Sequence, residues 1–134
     1  MSLVVKQIVT GQWHANCYAV SDEKHNCLLI DPGDDLQKIL QYIESVGLTL
    51  KAIAGTHGHF DHIGAASELK ERFNSPLYLH HADNKHLKYA NLYKGAFDSI
   101  KKINVPHVDF DLAGTGYREI GSFLLEVIET PGHS

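Results

Sequence analysis

Residues 56–62 read Thr-His-Gly-His-Phe-Asp-His, which places three imidazoles and a carboxylate within six positions. A further imidazole, His133, stands in the closing segment "TPGHS". Neutral imidazole and carboxylate are borderline-hard donors that suit Zn2+, and less exclusively Fe or Mn. A lone histidine is far more often a surface or packing residue, and an isolated His-x-His pair is a weak sign of ligation. His-x-His-x-Asp-His is a stronger signal when a strand precedes it and a helix follows. Five donors, His57, His59, Asp61, His62 and His133, exceed what one tetrahedral ion takes, and a pair of ions sharing a water accounts for the excess economically.

The elements needed to position these groups are legible on both sides. "LKAIAGT" (50–56) reads as a strand that delivers the chain into the cluster, and a helix is predicted over about 62–73 with Ile63, Ala66, Leu69 and Phe73 facing inward. At a strand end, residues two apart point to the same side, so His57 and His59 converge. Asp61 and His62 then turn toward the same region from the start of the helix, where Asp61 also suits the positive end of the helix dipole. Gly58 between the first two histidines permits a backbone conformation that a side chain would resist.

Upstream, 3–9, 16–20 and 27–31 are short β-rich runs. A helix within 34–47 carries Leu36, Ile39, Leu40, Ile43 and Val46 at helical spacing, with Asp34 or Asp35 as N-cap and Gly47 as the stop. Downstream, 76–80 reads as a strand, 83–94 as helical, and 107–112 and 122–130 as strands around a turn-like "AGTGYREIG". This alternation predicts an α/β fold with one layer of helices on one sheet.

At 134 residues the chain is one domain by length. Twelve basic against sixteen acidic residues give a net charge of −4, which offers no electrostatic reason to expect nucleic acid. No stretch approaches the roughly 20 apolar residues of a membrane-spanning helix, and the N-terminus lacks the apolar run of a signal peptide, so no membrane partner and a cytoplasmic location are expected. Cys17 and Cys27 read as buried small hydrophobes.

"THGHFDHIGA" resembles the signature of the metallo-β-lactamase superfamily and looks closest to its glyoxalase II-like (hydroxyacylglutathione hydrolase-like) branch. "NCYAV" (16–20), "LLIDPG" (28–33) and "VIETPGHS" (127–134) match, in kind and order, that family's opening strands, Asp-bearing strand end and third ligand segment. The resemblance implies the N-terminal half of an αββα sandwich, with one mixed β-sheet and helices packed on one face. It implies that His57, His59 and His133 hold a first metal and that Asp61 and His62 hold a second. Asp61 would also orient the attacking hydroxide, and Asp31 would support the ligand loop, although an Asp before Pro-Gly is equally read as a turn residue. The implied chemistry is hydrolysis of a small acyl thioester or ester with one or two Zn2+ ions, Fe or Mn being the other candidates.

The sequence stops one residue after His133, so the expectation is a single domain, 1–134, cut before its C-terminal half. The later Asp and the final His of the family pattern are missing from it. A sheet with helices on one face only would leave the other face bare, which predicts self-association through that face. Two other readings stay open: a persulfide dioxygenase-like iron enzyme, and a non-catalytic metal-binding half domain. Among the remaining histidines, His80 and His81 read as a polar strand end near the cleft, and His86 and His107 as solvated. His14 follows Trp13 in a segment the resemblance places near the active-site mouth.

Overall fold

The computed structural model describes residues 2–97 and 102–133. Three antiparallel strands open the chain: β1 (Val4–Thr10), β2 (Ala15–Ser21) and β3 (Asn26–Ile30). Three more, β4 (Thr49–Ala54), β5 (Leu77–Leu79) and β6 (Phe110–Asp111), join the same sheet in parallel, giving the order β1-β2-β3-β4-β5-β6. Parallel neighbours need crossover connections. These contain α1 (Leu36–Val46), then α2 (Phe60–Ile63) and α3 (Ala66–Phe73), then α4 (Asn84–Lys88) and α5 (Ala90–Phe97). The mixed sheet with helices agrees with the fold expected from the sequence.

Helix α1 forms because Ile39, Leu40 and Ile43 recur on one face, where they are buried in the main core with Leu29, Ile53, Ile63, Leu69, Leu77 and Leu79. Each such side chain contributes roughly 1.5–3 kcal/mol on burial. The helix ends at Gly47, which is left-handed (φ 76°) and donates its N–H to the carbonyl of Ile43. Its start differs from expectation. Asp35 occupies the N-cap position, but its carboxylate accepts the Gly11 N–H at 2.9 Å instead of capping the helix. The side chain ties the β1–β2 turn to the helix.

The helix expected over 62–73 is divided into α2 and α3. The division lies where the chain docks on Pro32–Gly33: Ala65 N–H donates to the Pro32 carbonyl at 2.9 Å, and a Cβ on Gly64 would meet the Gly33 oxygen at 2.3 Å. Backbone meets backbone there, and only glycine fits.

The C-terminal third holds the main departures. Only Phe110–Asp111 of the 107–112 run pairs as a strand. The segment read as a turn contains β7 (Gly116–Ile120), which pairs antiparallel with β8 (Phe123–Val127) across a two-residue loop. The hairpin seats Ile120 and Phe123 on Leu28, Ala52 and Ala54, the residues that alternation along β3 and β4 turns away from the helices. The second face of the sheet is therefore partly covered, not bare: apolar side chains that alternate to that face need a partner, and this hairpin supplies one. Cys17 and Cys27 are free and fully buried, and burial pushes both thiols up to about 12. Among the described residues, no helix is long and apolar enough to cross a membrane.

Candidate metal centre

The histidine cluster emerges at the carboxyl end of β4, beside the carboxyl end of β3, where open α/β sheets place their ligands. Asp31, one residue past β3, is 4% exposed and sits in the left-handed region at φ 55°, a conformation uncommon for a residue with a Cβ. Its N–H donates to the Ala54 carbonyl, which fixes the carboxylate under the loop that carries His57 and His59. One oxygen accepts the Thr56 backbone N–H at 2.7 Å. The other accepts the Thr56 hydroxyl at 2.5 Å and the His62 Nδ1–H at 3.0 Å.

That network assigns the tautomers. The Thr56 hydroxyl gives its only proton to Asp31, so its oxygen accepts from His57 Nδ1 at 2.9 Å. His57 Nε2 then carries a bare lone pair, and that atom is buried with no hydrogen-bond partner. By the same logic His62 is protonated at Nδ1, and its Nε2 lies 3.5 Å from an Asp61 carboxylate oxygen.

The distant segment joins them. The His133 ring centroid lies 4.8 Å from that of His57 and 4.9 Å from that of His59, while His57 and His59 are 4.7 Å apart. His62 lies 4.2 Å from His57 on the other side. One ring nitrogen from each of His57, His59 and His133 falls within 4.8 Å of the others. Asp31 also clusters with His57 and His62, but its oxygens are already taken by three donors, so it orients imidazoles and is not itself a natural ligand.

The charges fit a cation-binding role. Burial, reinforced by the neighbouring His62, pushes the His57 pKa down to about 4. His59 is lowered by burial and then by His86 and His133. His62 goes the other way: burial disfavours its cation, but the Asp31 hydrogen bond and the Asp31 and Asp61 charges outweigh that. Two imidazoles held neutral, one of them with a buried unpartnered nitrogen, make a donor set that suits a borderline transition metal.

Two contributors escaped the sequence reading. Thr56 was visible only as the first letter of the cluster, and its role depends on Asp31 arriving from another strand. His86, expected to be solvated, has a side chain only 13% exposed and a ring 4.5 Å from that of His59. It is half-buried because α4 begins close after β5 and docks on the histidine loop; the spacing of Asp83 and His86 was the only available hint. His107 is exposed, as expected. His80 accepts the Ala82 N–H and meets Glu129 at 3.1 Å, and His81 meets Asp111 at 2.8 Å. These pairs fasten β5, β6 and the segment after β8 to one another. Beside Asp61 opens a cavity of about 900 Å³ whose walls include Trp13, Phe60, Lys94 and Lys102.

Residues 10–134 match the family model of the metallo-beta-lactamase superfamily. The chain is 40% identical over 130 residues to a Bacillus subtilis protein described as "Probable metallo-hydrolase YqgX", covering 96% of this chain and 61% of that protein. It is 30% identical over 136 residues to the hydroxyacylglutathione hydrolase GloC of Haemophilus influenzae, covering 97% and 62%. Among solved structures it superposes on the BLEG-1 B3 metallo-beta-lactamase with a TM-score of 0.88 and 32% identity, covering 98% of this chain and 63% of that one. TTHA1623, crystallised in a di-iron-bound form, gives a TM-score of 0.83 and 35% identity, covering 97% and 63%. The chain thus spans a little over three-fifths of the length of these relatives.

Proposed function

This chain belongs to the metallo-beta-lactamase superfamily, and from that footing we propose that its histidine cluster is the centre of a metal-dependent thioester or ester hydrolase. The observation that carries the reading is the buried, unpartnered Nε2 of His57 in the same cluster as one nitrogen each of His59 and His133. His57, His59 and His133 would hold a first ion, and Asp61 with His62 a second. Similarity to a hydroxyacylglutathione hydrolase supports a thioester as the substrate class. Zinc is the proposed metal because imidazole-rich sites with an open position suit it, and similarity to a di-iron-bound protein makes iron the alternative.

The chemistry that a divalent cation would supply here is a bound water with its pKa lowered toward about 7 and a polarised acyl carbonyl, so that no protein nucleophile would be required. The side chains do the rest. Asp61 would accept a hydrogen bond from the attacking water and fix its direction. Asp31 and Thr56 hold the His57 ring through Nδ1, which leaves its Nε2 lone pair free to take an ion. Trp13 and Phe60 give the adjoining cavity an apolar wall on which an acyl chain could rest, and its charged lining is mixed, with Lys38, Lys94 and Lys102 beside Asp34, Asp35 and Glu68.

His59→Ala should lose bound metal and turnover of an S-acyl thioester together, read by elemental analysis and thiol release. Unchanged metal content in that variant would sink the assignment. Stoichiometric iron in the unchanged chain would favour the iron-enzyme reading, and tight zinc binding without turnover of any acyl substrate would favour a binding module.

A further inference from the structure

We propose that Asp83 and His86 orient His59 from outside the metal centre, as Asp31 and Thr56 orient His57. This rests on the metal centre proposed above and adds residues to it. An imidazole that binds an ion through one nitrogen must place the N–H on the other, and an acceptor there fixes both tautomer and ring direction. His57 places its N–H on Thr56, and His62 places its own on Asp31. The His59 ring has no hydrogen-bond partner among the described residues. What it has is the ring of His86, 4.5 Å away and inclined at 76°.

His86 is itself unexplained as a packing residue. Its side chain is 13% exposed, and both ring nitrogens are buried without a partner. An aromatic hydrocarbon would fill the same space without that cost. The carboxylate of Asp83, three residues earlier at the N-cap of α4 and 7% exposed, lies 3.8 Å from His86 Nε2. A proton on Nε2, facing Asp83, leaves Nδ1 as the acceptor that the His59 N–H lacks. A rotation of the His86 and His59 rings out of this edge-to-face contact, bringing nitrogen to nitrogen, completes the line Asp83–His86–His59. The approach is already close: a Cβ on Gly58 would fall 2.9 Å from the Asp83 carbonyl oxygen and 3.4 Å from the His86 Cβ. The helix therefore grips the loop through the glycine between the two ligand histidines, and behind His86 stands Tyr93, at 6.4 Å between centroids.

His86 is a positioning residue on this account, and the test separates its nitrogens from its bulk. In the 134-residue chain, His86→Phe keeps a ring and removes the acceptor, His86→Gln keeps an acceptor, and Asp83→Asn removes the charge that sets the tautomer. Zinc affinity is measured by competition with a chromophoric chelator, and Co2+ absorption reports ligand geometry. The expected result is that His86→Phe melts like the unchanged chain without metal, binds zinc about 10–100-fold more weakly, and shifts the Co2+ spectrum. His86→Gln should recover much of that loss, and Asp83→Asn should show a smaller loss of the same kind. Zinc binding by His86→Phe as tight as in the unchanged chain overturns the proposal and leaves the metal centre standing. Failure of the unchanged chain to bind zinc or cobalt removes the centre itself. Should His86→Phe not fold, imidazole nitrogen NMR on the unchanged metal-loaded chain decides: a proton on His86 Nε2 supports the line, and one on Nδ1 overturns it.

Discussion

A threonine hydroxyl has one proton to give, and here Asp31 takes it, which leaves the Thr56 oxygen to receive the proton of His57 Nδ1. Thr56→Val preserves shape and removes that relay. Zinc affinity, read by chelator competition, should fall about 10–100-fold with little change in the metal-free melting temperature. The pH dependence of the metal-free chain follows from the same residues. The folded-state pKa of His57 is about 4 against an ordinary 6.5, so on acidification the unfolded chain takes up a proton that the folded chain refuses. Its contribution to stability is complete above pH 6.5 and is lost as pH falls toward 4; His59 acts in the same sense. His62, with a raised pKa, contributes below its ordinary value and loses that contribution as pH rises through its folded value. Thermal melts with chelator present should therefore show falling stability from pH 6.5 to 4, and His57→Gln should flatten that fall. The cluster of candidate donors was legible in the sequence because four of them are local, within His57–His62. The supports were not, because Asp31 reaches Thr56 from a neighbouring strand and His86 reaches His59 by helix docking. No spacing rule encodes either meeting.

Among the elements, α1 was readable because its apolar face repeats over the whole helix and Gly47 ends it. The break between α2 and α3 was not, since the apolar period runs through it unbroken. The interruption is imposed from outside by the Pro32–Gly33 loop pressing on Gly64 and Ala65. Strand β7 was missed for a related reason. Glycines at 114, 116 and 121 supply turn chemistry, and the segment becomes a strand only through its pairing with β8. The Pro32–Gly33 contact carries its own prediction. A Cβ at residue 33 would stand 1.8 Å from the Asp61 carbonyl oxygen, a backbone atom that cannot yield without moving the ligand loop. Overpacking usually costs about 1–3 kcal/mol, and Gly33→Ala should reach the upper end or beyond in denaturant unfolding while also weakening metal binding.

For the molecule as a whole, the helices cover one face of the sheet and the β7–β8 hairpin covers part of the other. The outer side of that hairpin is left with Tyr117 and Leu124, each 68% exposed, and Phe110 is 51% exposed. Apolar groups gathered on one surface favour association, and the 134-residue chain on its own is expected to self-associate at micromolar concentration. Light scattering checks this: Tyr117→Lys with Leu124→Glu should shift the population toward the monomer, and a clean monomer before any substitution would refute the expectation. The α/β layering was foreseeable because strands alternate with helices along the sequence, and the mixed sheet was expected from the family resemblance. The partial cover on its second face was not, because it depends on a hairpin pairing that brings residues near 120 onto residues near 28 and 52.

Asp31 also makes two neighbours compete for one atom. The same carboxylate oxygen serves the Thr56 hydroxyl, and through it His57, as well as His62 directly. A cation seated on His57 would draw electron density along that chain and leave less for His62, and the like charges of two ions would repel each other as well. Two such positions would be antagonistic tenants of a shared anchor, each weakening the other.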